Sequence, residues 1–147
     1  MKDMRFMFSH YRTRNKLFLA AALLIAQGEE RFKIRFTPVP MDAAMRATVA
    51  GSGSGTATLS GNKLTINVTF SGMPSAATTA RLHKAVAAGV RGSAFLDLTV
   101  TKGTAGTVGG TFDLTPDQID NLRKGHVYIQ ISSEKAPDGT LWGWILK

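Results

Sequence analysis

At 147 residues with 44% hydrophobic and 19% charged side chains, the chain has room for one ordinary core and too much apolar content for a disordered segment. The absence of cysteine excludes a disulfide framework, a lipid-modified N-terminal cysteine and thiolate chemistry. The formal charge of +8 does not argue for nucleic acid, because five of the 18 Lys and Arg and only one of the 10 Asp and Glu fall in residues 1–28.

Those first residues read as an export signal. A basic stretch ends at Lys16, the apolar run LFLAAALLIA follows from Leu17 to Ala26, and Ala26-Gln27-Gly28 places small residues where a signal peptidase reads them. A signal helix over residues 1–28, cleaved before Glu29, is expected, which makes the mature protein secreted or periplasmic. The run is shorter than the roughly 20 apolar residues of a membrane-spanning helix. An uncleaved anchor is the alternative.

From residue 29 to 147 the pattern is strand-like. FKIRF, residues 32–36, alternates apolar and basic, which puts Arg31, Lys33 and Arg35 on one face of a strand. That row reads as a solvated face rather than a phosphate-binding stripe. TPVP, residues 37–40, interrupts the strand, and Met41 to Ala50 has no clear period. GSGSG, residues 51–55, reads as a loop or bulge inside one sheet. Two alternating runs around Ser60-Gly61-Asn62-Lys63 then predict a hairpin, with Leu64, Ile66, Val68 and Phe70 on its buried face.

Further strands are expected over Thr79 to Lys84, Ala94 to Thr101 and Thr104 to Leu114, the last twisted or bulged at its glycines. Thr115-Pro116-Asp117-Gln118 is a helix start, with a Thr cap, Pro at the first helical position and Gln where a capping box needs it. Ile119 and Leu122 form its apolar stripe, and Gly125 ends it. HVYIQIS, a turn at Ala136-Pro137-Asp138-Gly139, and LWGWILK close the chain. About eight strands with one short helix predict an all-β fold, an antiparallel Greek-key β-sandwich of the immunoglobulin or superoxide dismutase-like kind, preceded by the signal helix. A closed barrel is the alternative.

The succession GSGSGTATLSGNKLTINVTFSGMP, ARLHKAVAAGVRGSAFLDL, FDLTPDQIDNLRKGHVYIQI and KAPDGTLWGW resembles the chordin-domain (CHRD) family over roughly residues 35–146. The resemblance implies a secreted sandwich-like module, in a single copy, with no established catalytic activity. Relatives often carry a His-x-His pair and a Tyr-x-x-x-His arrangement, a trio suited to a metal as in dismutase-like sandwiches. The matching positions here are Arg81, His83 and Ser132, so two of the three ligands are missing and Arg81 sets a fixed positive charge against any cation. No metal and no cofactor is therefore expected.

Catalytic residues are not expected either. Asp113, Asp117 and Asp120 cluster at the helix start, where carboxylates offset the helix dipole, and the glycines of GSGSG lack the lysine of a phosphate loop. What remains is a candidate binding patch of Arg81, His83, Lys84, Tyr128, Trp142 and Trp144, suited to an anionic or carbohydrate-like ligand if these residues converge. Period-two spacing puts Trp142 and Trp144 on one strand face, with core burial expected for at least one of them. The sequence thus describes an exported, non-enzymatic module that binds a protein or carbohydrate of the cell envelope or extracellular space. It has no nucleic-acid partner, and it meets a membrane only through the uncleaved signal. The other readings are a metal-binding dismutase-like sandwich and a matrix protein that self-associates through a strand edge.

Overall fold

A computed structural model describes residues 28–147, so the expected signal segment lies outside the described residues but for Gly28. Contacts divide the chain into a unit over Met1–Glu30 and another over Arg31–Lys147, to which the barrel core belongs. Among the described residues no helix is long and apolar enough to cross a membrane.

The strands are β1 (Glu29–Pro38), β2 (Ser52–Ser60), β3 (Lys63–Ser71), β4 (Ala77–Lys84), β5 (Ser93–Val100), β6 (Gly106–Asp113), β7 (Val127–Ser133) and β8 (Leu141–Leu146). A 3₁₀ turn at Ala43–Met45 follows β1, and the helix α1 (Pro116–Arg123) joins β6 to β7. The Thr115 hydroxyl accepts from the Gln118 amide and the Gln118 side chain accepts from the Thr115 amide, which completes the capping box.

The expected sandwich is not what forms. The strands close into one antiparallel barrel in the order β1-β2-β3-β6-β5-β4-β7-β8. One seam is the six-residue pairing of β1 with β8, from Lys33↔Leu146 to Pro38↔Leu141. The other is the short contact of β5 with β6 at Thr99↔Gly109 and Val100↔Val108. Alternation fixes which face of a strand is buried, but it is equally satisfied by two packed sheets and by one sheet rolled on itself.

Small inward residues let the sheet roll. All of GSGSG but Gly51 is strand rather than loop: residues 52–55 open β2, with Ser52 and Ser54 facing out and Gly53 and Gly55 facing in. A Cβ on Gly53 would stand 2.2 Å from the Thr69 carbonyl oxygen, and one on Gly55 2.3 Å from that of Asn67. Glycine is therefore what allows β2 to lie this close to β3. The barrel interior is one continuous core that includes Phe32, Ile34, Phe36, Leu64, Ile66 and Val68 from β1 and β3. Leu82, Ile129, Ile131, Leu141 and Ile145 complete it from β4, β7 and β8. Inside the adjoining turn, Ser133 and Thr140 are fully buried and satisfy each other at 2.7 Å.

Candidate functional site

Outward-facing residues of four neighbouring strands fall into two cross-strand rows. In one, His83 of β4, Tyr128 of β7, Trp144 of β8 and Arg35 of β1 stand opposite one another in turn. In the next, Arg81, Gln130, Trp142 and Thr37 do the same. Their chain neighbours Leu82, Ile129 and Ile145 fill the barrel, so the pleat sends these two rows outward. Five of the six predicted patch residues thus lie on one face, while Lys84 ends β4 beside α1.

The aromatic members pack on one another. His83 stacks on Tyr128 with centroids 4.9 Å apart and planes 19° apart, and Tyr128 lies 4.6 Å from Trp144. Trp142 meets Tyr128 and Trp144 edge-on at 5.6 and 5.4 Å. Val39, Val49, Ala85 and Ala136 cover them, with Met45 and Trp144 packed alongside, which makes a second apolar core outside the barrel. Tyr128 is only 1% exposed and Trp142 9%, so neither offers a free face to a ligand. Met41 to Ala50, which showed no period, supplies part of this cover through Met45 and Val49.

The β4–β5 loop is fastened onto the same cluster. The Tyr128 hydroxyl accepts from the Gly92 amide at 2.9 Å and donates to the Gly92 carbonyl at 3.3 Å. His83 Nδ1 lies 3.0 Å from that carbonyl oxygen, which can only accept, so the Nδ1–H donates. Gly92 sits so near the end of β4 that a Cβ there would be 1.8 Å from the Lys84 carbonyl oxygen. Arg91 and Gln130 both donate to the Asp138 carbonyl, each at 3.2 Å, tying this loop to the β7–β8 turn. Nothing local in the sequence marks Gly92 or Asp138 for these roles.

The basic members are neutralised where they stand. Arg81 Nε donates to Asp97 Oδ1 at 2.8 Å, directly across on β5, and Lys84 Nζ reaches Asp117 Oδ2 at 3.3 Å. Among the described residues no group of three or more His, Asp or Glu is placed to hold a metal. Ser132 lies across from Thr79, away from the His83 row.

A different surface opens where β1 runs beside β2. Two hollows of about 700 and 670 Å³ share Arg35, Thr37 and Ser54 and form one groove along the outer face. Lys33, Thr56 and partly exposed Trp144 line one end, and Ser52, Thr69 and Ser71 the other. No Asp or Glu side chain lines either hollow, and Lys33 and Arg35 make no ion pair among the described residues. The indole Nε1–H of Trp144 is buried without an acceptor. Alternation had already placed Lys33 and Arg35 on one face, but only the barrel's closure brings Trp144 beside them.

A closed antiparallel barrel carrying polar side chains and a cluster of His83, Tyr128, Trp142 and Trp144 on its outer face is the architecture of a compact β-module. Residues 37–145 match the family model of the CHRD domain, and the chain belongs to the CHRD family. No curated protein and no solved structure matches it.

Proposed function

We propose that this chain is a non-catalytic binding module that works outside the cytoplasm and holds a carbohydrate or protein component of the cell envelope or extracellular space. The observation that supports it most is the outer groove, where Lys33 and Arg35, which make no ion pair among the described residues, stand with hydroxyls and an indole on the strands. Side chains mounted on strands are held at fixed spacing, so contact costs little ordering entropy. The leader with its Ala26-Gln27-Gly28 stretch supports the address.

Fractionation of cells expressing the full chain, followed by sedimentation of the exported fraction with insoluble envelope material, tests both parts. The expected result is a protein whose N-terminus lies near Glu29, outside the cytoplasm and retained by the envelope fraction. Full-length protein confined to the cytosol, or none retained by envelope material, overturns the reading.

A further inference from the structure

We infer that the groove between β1 and β2 binds an acidic, carboxylate-bearing polysaccharide, an inference that rests on the binding-module reading and names its ligand class. Three facts point to an anionic saccharide. First, Lys33 and Arg35 project from alternate positions of β1 into a groove lined by no Asp or Glu side chain, whereas Arg81, Lys84 and Lys124 each hold an aspartate. Unpaired cations in such a groove attract an anion, and the Arg fork matches a carboxylate with two parallel hydrogen bonds.

Second, the cations are sparse and hydroxyls fill the spaces. Lys33 and Arg35 stand about 6.6 Å apart along the strand, and Thr37, Ser54, Thr56 and Lys147 line the groove with them. A nucleic-acid duplex carries one charge per about 1.7 Å and calls for a denser row. A sugar chain with at most one carboxylate per ring presents mostly hydroxyls, which Ser and Thr meet as both donors and acceptors.

Third, Trp144 forms a wall of the groove directly across from Arg35. Its ring offers a flat apolar surface to the C–H face of a sugar. Its indole N–H, buried without an acceptor, reports through its NMR signal on what settles against the ring.

The test is calorimetric titration of the full chain with a galacturonic acid oligomer, a neutral maltose oligomer of equal length, and single-stranded DNA. Two double variants with the same charge change are compared, Lys33→Gln with Arg35→Gln and Arg81→Gln with Lys84→Gln, each checked for an unchanged melting curve. The oligogalacturonate is expected to bind wild type in preference to the other two probes and to shift the Trp144 indole NMR signal. Its affinity should fall about tenfold or more in the β1 variant, as loss of charge-assisted contacts implies, and stay level in the other. Equal loss in both variants means diffuse charge attraction and overturns the site. Tighter binding of DNA overturns the ligand class. No binding of the uronate by a protein that still sediments with envelope material overturns this inference while leaving the binding-module reading in place.

Discussion

The Tyr128 hydroxyl bonds both the amide and the carbonyl of Gly92, 36 residues away, and so fastens the β4–β5 loop against the outside of the barrel. The ring of Tyr128 is meanwhile buried between His83, Trp142 and Trp144. Tyrosine is suited to the position because its apolar body enters the second core while its polar tip reaches a backbone that needs a partner.

Tyr128→Phe keeps the ring and removes the tip. The Gly92 amide is then left without its acceptor in a part-buried setting, which costs about 1–3 kcal/mol. Denaturant unfolding should show that loss, and amide exchange at Gly92 should quicken more than exchange in the barrel strands. Unchanged exchange at Gly92 would mean that the loop is held by its other contacts.

Ser133 and Thr140 test how strictly a buried polar pair must stay complete. Both are fully buried, and their hydroxyl oxygens lie 2.7 Å apart. Ser133→Ala or Thr140→Val alone strands one hydroxyl, at about 1–3 kcal/mol. The double variant strands neither and should lose less than the two single losses added together. Strict additivity in the thermodynamic cycle would show that the hydroxyls act independently.

Lys124 is held above its ordinary 10.5, first by its hydrogen bond to Asp120 and then by that carboxylate's charge, with Asp117 adding a further pull. Because the folded value lies above the unfolded one, the pair's contribution is complete below pH 10.5 and is lost as pH rises through the folded value. The pair is solvent-exposed, so the effect is clearer in titration than in stability. NMR titration of the Lys124 side chain should give a midpoint above the ordinary value, and Asp120→Asn should lower it. Identical midpoints in the two proteins contradict the assignment.

Much of this fold is written locally. The alternation of Leu64, Ile66, Val68 and Phe70 gives β3 and its buried face, and Thr115 with Gln118 gives the start of α1. The closed barrel is not, because pairings such as Arg35 with Trp144 join distant parts of the chain and leave no mark on either segment. GSGSG misleads for a related reason: its glycines have low strand propensity alone and are needed only because β3 lies so close. Of the candidate site, the convergence of His83, Tyr128, Trp142 and Trp144 follows from strand pairing. Core burial of at least one tryptophan is expected and Trp142 is buried, but the cover over it and Tyr128 comes from Val39, Val49 and Ala136, in segments without a period, and so leaves no mark. Whether a basic residue has a partner also depends on pairing, as Arg81 with Asp97 shows.

The closure of the barrel places Arg35 beside Trp144 and makes a groove of the β1–β2 face, so the two seams are where the structure is most exposed to contradiction. Inter-strand backbone NOEs in the isotopically labelled protein read them directly. The barrel predicts contacts between Arg35 and Trp144 at one seam and between Thr99 and Gly109 at the other, in the same sample. Contacts at only one seam would mean an open sheet and contacts at neither would mean two separate sheets; either result, with fast-exchanging amides along the unpaired strands, would contradict the closed barrel.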